Sequence, residues 1–293
     1  MKKDLLVHII LIGLVLNCIS LSAQKIDSIP AVCLNHVLIY LDSATYQKLF
    51  NLSFLSDTVG NCSTKTQKTV DNEWSGKYLF GEEGYLEFFP TKKVNNIPSG
   101  WFGFGFITFR SGDIWKIRDK WQKHTTEIIW TDTSIYEDKG TKKSWFYSIS
   151  LAPDDTNKYL PVWLMENTPE EMKRAGYGDS DLKEEITWGT YMNNLKSQPF
   201  SKLLKGITSV NISVGTNEMD FLQKIMIGFG LHKTDSTFSN QYVDILCDIR
   251  PYSIWRIQSV TFELKQDVAY RKLIISGSLI LELKGKSAVM TFN

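Results

Sequence analysis

The sequence predicts an α+β protein of tandem β-α-β-β-β units whose curved mixed sheets wrap around a cup. Three observations carry this. A strand of alternating polarity runs into a polar cap and a short amphipathic helix three times, opening at residues 34, 103 and 207. Each helix is followed by further alternating segments rather than by another helix. A unit of this kind covers only one face of its sheet, so units must pair to bury the other.

In the first unit, residues 34–90, the opening strand covers 34–41 and alternates with period two. Val37, Ile39 and Leu41 share one face; His36, Leu38 and Tyr40 share the other. Ser43 reads as the helix cap, and Tyr46, Leu49 and Phe50 form the buried stripe. The polar stretch 57–72 reads as a loop or edge hairpin. Strands follow at 76–80 and 84–89, divided by the turn Gly81-Glu82-Glu83.

The second unit, residues 103–166, opens with a strand at 104–109. Ser111 reads as its cap, and Ile114, Ile117 and Trp121 as the helix stripe. Strands are expected at 127–130, 144–151 and 161–165, with 136–143 as a hairpin tip. Residues 167–206 break the rhythm and read as a helical connector laid over the sheet. Thr168-Pro169-Glu170-Glu171 is a helix start, with a hydroxyl cap, Pro in the first turn and acids at the positive dipole end. A second helical piece is expected over 191–204. The third unit, residues 207–293, opens at 207–214. Thr216 or Asn217 caps a helix with the stripe Met219, Leu222 and Ile225, and strands are expected at 241–249, 255–265, 273–284 and 288–292.

Ahead of the units, Lys2 and Lys3 precede an apolar run from Leu5 to Leu16, and Leu21-Ser22-Ala23 offers a cleavage site. Residues 1–23 therefore read as a signal peptide and not as a membrane anchor, which predicts a periplasmic or secreted protein. The alternative is a lipoprotein anchored at Cys18. The chain has 33 basic and 32 acidic side chains; the leader carries Lys2, Lys3 and Asp4, so the remainder is formally neutral. With no basic stripe, nucleic acid is excluded as the expected partner. Beyond the leader stand Cys33, Cys62 and Cys247, an odd number, read either as a Cys33–Cys62 pair with one free thiol or as three buried thiols.

The opening Leu34-Asn35-His36-Val37 and the closing Tyr85-Leu86-Glu87 resemble the vicinal-oxygen-chelate superfamily of glyoxalase I, extradiol dioxygenases, methylmalonyl-CoA epimerase and the bleomycin-resistance proteins. Nearer still, the chain resembles an uncharacterised family of exported bacterial proteins with the same opening and an aromatic closing strand. The superfamily resemblance implies a cup between two units, with metal held by one His and one Glu from each. His36 and Glu87 match the first pair. In the second unit Gly105 stands where a His is implied, and Glu166 is the closing acid; in the third, Ser209 and Glu282 are the counterparts. His36, Glu87 and Glu166 would then form a one-His, two-carboxylate site for Zn, Mn or Fe, with Glu166 as candidate catalytic proton shuttle. The opposing reading is a buried His and Glu that orient the core and bind no metal.

A second set of residues points to binding without chemistry. Trp74, Tyr78, Tyr85, Trp101 and Trp163 cluster about the closing strands, and an aromatic-lined cleft with few polar anchors holds an apolar or planar small molecule, or a sugar. The cup is expected to be lined by His36, Tyr40, Tyr85, Glu87, Gly105, Trp163 and Glu166. His124 reads as a helix-end cation, and His232 as structural. Cys33, three residues before His36, is expected on the opposite strand face, which removes a Cys–His pair. Ser209, Asn211 and Ser213 give the third unit a polar face, read as a solvated sheet or as the seat of a homodimer. The leading reading is a small-molecule-binding cup, with a metal-dependent isomerase, lyase or dioxygenase as the alternative.

Overall fold

The computed structural model describes residues 29–91, 97–152, 161–195 and 202–293. The leader read over residues 1–23, Cys18 included, lies outside them, as does the middle of the connector's second helical piece. Among the described residues no helix is long and apolar enough to cross a membrane.

The first unit comprises β1 (Val32–Leu41), α1 (Ser43–Lys48), β2 (Asn61–Lys68), β3 (Glu73–Gly81) and β4 (Gly84–Pro90). The second comprises β5 (Phe102–Thr108), α2 (Asp113–Gln122), β6 (Ile129–Asp138), β7 (Thr141–Leu151) and β8 (Val162–Asn167). Together they form one eight-stranded sheet in the order β2-β3-β4-β1-β5-β8-β7-β6, strongly curled into a half-barrel. Within each unit the first strand lies parallel to the last, β1 to β4 and β5 to β8, and the units join through antiparallel β1 and β5. The fold is thus α+β with curved mixed sheets around a cup.

Alternation sorts the faces. Val37, Ile39 and Leu41 are buried in the core on the convex side, while His36, Leu38 and Tyr40 face the concavity. Leu49 and the stripe Ile114, Ile117 and Trp121 seat α1 and α2 on that convex core. The helix starts differ from expectation by one residue. Asp42, not Ser43, caps α1, its carboxylate accepting from Thr45 N–H; α2 starts from Gly112, whose φ of 88° suits glycine, not from Ser111. The stretch 57–72 holds an edge strand, β2, and β6 and β7 extend to a two-residue turn at Lys139-Gly140.

In the connector, α3 (Pro169–Arg174) begins at the Thr168 cap, and α4 spans Trp188–Asn194. β9 (Leu204–Gly215) and α5 (Thr216–Gly228) open the third unit, with Gly215 rather than Thr216 or Asn217 at the cap. The unit then closes earlier than the sequence suggests. Two short strands, β10 (His232–Thr234) and β11 (Thr237–Ser239), precede β12 (Asp244–Arg250), which lies parallel to β9. The segments expected at 255–265, 273–284 and 288–292 are instead one long hairpin, β13 (Trp255–Ser276) and β14 (Leu279–Phe292), turning at Gly277-Ser278. The second sheet runs β10-β11-β12-β9-β13-β14. β13 pairs antiparallel with β9 as β5 does with β1, so it stands where a fourth unit would begin.

Both sheets share one core. The apolar face of the second sheet, with α5, packs against the convex back of the half-barrel, so Val37, Ile39 and Phe104 belong to the same buried cluster as Val210, Ile212 and Leu222. The polar side of β9 faces away, and Asn211 there donates to Ser259 at 2.8 Å.

Candidate functional site

Four central strands, β4, β1, β5 and β8, make the floor of a cavity of about 1210 Å³ on the concave side of the half-barrel. His36 sits at its middle, 3% exposed. Its ring lies flat over Gly105 on the neighbouring strand: a Cβ built on Gly105 would meet the His36 ring at 2.1–2.6 Å. The missing side chain therefore makes space for an imidazole rather than for a ligand. Tyr85, paired with His36 across β1 and β4, stacks on the ring at 4.7 Å, and Trp163, paired with Gly105, meets it edge-on at 5.4 Å.

A β-bulge sets this geometry. Leu34 opposes Phe106 and His36 opposes Gly105, leaving Asn35 as the extra residue on β1. Gly84, at φ 132°, accommodates the displaced backbone, since a Cβ there would sit 2.6 Å from the Asn35 carbonyl oxygen. The bulge lets Asn35 also line the cavity, with its Oδ1 3.1 Å from His36 Nδ1. Burial holds the imidazole pKa down to about 3, so His36 is neutral at physiological pH. With Nδ1–H donating to Asn35, Nε2 carries the lone pair.

Glu87 lies on the same side. Its Oε1 accepts from Tyr78 OH at 2.6 Å and from Trp74 Nε1 at 3.1 Å. Burial raises its pKa above the usual carboxylate range, and those two hydrogen bonds only partly offset the effect. Tyr40, with Trp101 at 5.4 Å and Phe89 at 5.5 Å, continues the aromatic wall beyond Leu38.

The connector covers one side of the cup. Glu83, in the β3–β4 turn, accepts from Thr187 Oγ1 at 2.8 Å and from Gly189 N–H at 3.0 Å, which fixes the start of α4. Trp188 is thereby set 5.4 Å from Tyr85. Tyr191 from the same helix lines the cup and donates to the buried Glu171, whose carboxylate also accepts from Arg174 and from Tyr136 OH, both at the cavity wall.

His36, Tyr40, Tyr85, Glu87, Gly105 and Trp163 thus meet at one cup, as do Trp74, Tyr78 and Trp101. Glu166 does not join them. Trp163 faces the concavity, so by alternation Met165 does too, and Glu166 points to the convex side. There it accepts from Gly112 N–H at 2.6 Å, Thr108 Oγ1 at 2.8 Å and Ile114 N–H at 2.9 Å, serving as the carboxylate that caps α2. Glu282 is displaced as well: it lies on β14, bonded to Tyr270 OH at 2.9 Å, while the third unit's true closing strand pairs Ser209 with Asp244. Cys33 corrects another expectation. Through the bulge it opposes Ile107, two residues from Gly105, and so shares the face of His36. Burial pushes its thiol up to about 12, and it makes no nucleophile. Cys33, Cys62 and Cys247 are all free. Trp130, Phe146 and Met165 line the cup unannounced, although alternation along β6, β7 and β8 marks them; Trp145, the extra residue of a bulge in β7, and Trp188 and Tyr191 carry no such mark.

The ligand set His36, Glu87 and Glu166 does not fit a metal ion. Glu166 is on the other face with both oxygens engaged, and Glu87 already accepts two hydrogen bonds on one oxygen. Among the described residues no three His, Cys, Asp or Glu side chains are grouped so as to hold a metal.

No curated protein matches the sequence. A family model described as a family of unknown function (DUF5829) matches residues 34–292, a span that takes in both sheets, and the chain belongs to that family.

Proposed function

We propose that this is an exported protein that binds a planar, largely apolar small molecule in the aromatic cup, without metal chemistry. One observation carries the reading: a cavity of about 1210 Å³ walled by aromatic rings, whose central polar groups are a buried neutral imidazole and a buried carboxyl. Such a site offers area for ring stacking and few charges, the pattern of a ligand pocket. An imidazole with a pKa near 3 takes up little proton at neutral pH, which disfavours His36 as a general base. Export rests on Lys2, Lys3 and the apolar run from Leu5 to Leu16. The topology, with two paired units and the His36 position facing the concavity, supports kinship with the vicinal-oxygen-chelate proteins, including those that sequester drugs.

The test uses the neutral dye N-phenyl-1-naphthylamine. The protein is expected to enhance its fluorescence saturably, equally with chelator and with added Zn or Mn. Ser134→Trp, placing an indole in the cavity from β6, is expected to abolish the effect. The alternative of a metal-dependent isomerase, lyase or dioxygenase would prevail if protein purified without chelator held stoichiometric metal that His36→Ala and Glu87→Gln both lost.

A further inference from the structure

We infer that the ligand of the cup is an organic cation, whose positive nitrogen seats against Glu87 in a frame of Trp74, Tyr78 and Tyr85. This rests on the binding-cup reading and names the charge that its ligand carries. Glu87 lines the cavity and is 8% exposed. Only one of its oxygens is engaged: Oε1 accepts from Tyr78 OH at 2.6 Å and from Trp74 Nε1 at 3.1 Å. Among the described residues no hydrogen bond reaches Oε2.

Strand register builds the frame. Glu87 stands opposite Tyr78 of β3 and opposite Leu38 of β1, with Tyr85 and Phe89 two residues away on its own strand and on the same face. The Tyr78 and Tyr85 ring centroids are 6.1 Å apart. Burial, and after it the Glu87 charge, pushes up the Tyr40 and Tyr85 phenols, so both stand within the field of the carboxylate.

No positive side chain answers this charge. The basic side chains on the cavity wall are committed elsewhere: Lys65 lies over the Phe80 ring at 5.0 Å, Lys68 faces Glu73 at 4.0 Å, and Arg174 is bonded to Glu171. Lys77, next to Tyr78 in β3, points to the convex side and donates to the Tyr46 carbonyl at 2.7 Å. Burial accordingly raises the Glu87 pKa, and only the two hydrogen bonds oppose it. A carboxylate desolvated without a counter-ion is costly, and a cation supplied by the ligand removes that cost. The same cation is attracted to the negative faces of the surrounding rings. A neutral ligand leaves the carboxylate unpaired, and an anion is repelled by it. The selected class is thus a planar apolar body bearing one ammonium or one cationic ring nitrogen.

The experiment measures displacement of N-phenyl-1-naphthylamine by two isosteres, N,N,N-trimethyl-2-naphthylammonium and 2-tert-butylnaphthalene, which differ by a charged nitrogen in place of a carbon and do not titrate. The readout is the ratio of their affinities, in which a general effect of a substitution on the cup cancels. At pH 8 wild-type protein is expected to bind the cation at least as tightly as the isostere. Glu87→Gln, which keeps an acceptor oxygen for Tyr78 and Trp74, is expected to lower the ratio at least about tenfold, as loss of a buried charge partner does. In wild type the ratio should fall as pH drops from 8 to 5, because a protonated Glu87 no longer attracts the cation; in Glu87→Gln it should not. The other titratable groups facing Glu87 keep their charge over that range: Tyr40, Tyr78 and Tyr85 are pushed up by burial, and His36 is held down to about 3. Asp132, the other carboxylate on the cavity wall, is exposed on β6. Should Glu87→Gln fail to fold by circular dichroism, Asp132→Asn takes its place and must retain both the ratio and its fall with pH. Rejection of the cation by wild type, a ratio that does not respond to pH, or a ratio that Glu87→Gln leaves unchanged overturns the inference and leaves the cup reading standing. If the dye itself does not bind, both fall.

Discussion

The tightest coupling in the molecule joins a glycine to a histidine. His36 can lie across β5 only because residue 105 has no side chain, and a Cβ there would overlap the ring at 2.1 Å. Gly105→Ala is therefore expected to destabilise by about 2–3 kcal/mol, as overpacking does. In the double variant with His36→Ala, the alanine at 105 should cost much less, a coupling that chemical denaturation of the four proteins would reveal. The same burial makes the stability of the cup depend on pH. The folded state holds His36 at a pKa of about 3, below its value of 6.5 in an unfolded chain, so the unfolded state binds the extra proton between these values. The His36 contribution is complete above pH 6.5 and is lost as pH falls from 6.5 toward 3. Its size is on the order of 5 kcal/mol. Glu87 acts in the opposite sense, since a raised carboxyl pKa favours folding at low pH and loses that contribution as pH rises. His36→Phe should consequently lose less stability than wild type between pH 7 and pH 4.5, and identical slopes in urea melts would refute this account. His36, Tyr40 and Tyr85 were legible because period-two alternation needs no tertiary information. The same rule sets Glu166 apart from the cup: three residues from Trp163 in one strand, it cannot share that face without a bulge.

Among the elements, α2 illustrates how a buried acid can be structural. Its first turn has no side-chain cap of its own, and the left-handed Gly112 leaves backbone N–H groups pointing at β8. Glu166 fills that role from across the sheet, with both oxygens engaged. Glu166→Gln, which keeps one acceptor oxygen, is expected to cost about 1–2 kcal/mol, and Glu166→Leu about 3 kcal/mol, with dye binding in the cup unchanged. A loss of ligand binding without loss of stability would instead return Glu166 to the site. Helix stripes and strand faces could be read from the sequence, yet element ends could not. Asp42 and Ser43 are equally good caps in isolation, and only the backbone course decides between them. The bulge at Asn35 was hidden for a related reason, because it depends on Gly84, far along the chain, making way for a displaced carbonyl. Trp188 was invisible as a lining residue because Glu83 places it, and no local pattern links the two.

At the scale of the whole molecule, the cup depends on the sheet behind it. The convex face of the half-barrel is apolar, and α1 and α2 alone do not cover it; β9, α5 and β13 complete the same core. The joint is specific. Trp255, at the start of β13, stacks on Phe102 of β5 with ring centroids 4.4 Å apart, and its Nε1 donates to the Phe102 carbonyl at 2.7 Å. Ile257 N–H reaches the Gly100 carbonyl at 2.8 Å, and Asn240 Nδ2 reaches the Val32 carbonyl at 2.7 Å. The sequence announced a third unit but not its position, since the apolar alternation of β9 suits a second cup as well as a backing sheet. A shared core predicts shared unfolding. Trp255→Ala should cost about 3–5 kcal/mol, as removal of a buried indole does. The loss should appear equally in the far-ultraviolet signal of both sheets and in release of dye from a cup to whose lining Trp255 does not belong. Two separated transitions, with dye retained after the first, would mean that the cup folds alone and that the backing sheet is an appendage. A chain ended at residue 203 gives the complementary reading: without β9, α5 and β13 it should expose the apolar back of the half-barrel and aggregate rather than bind dye.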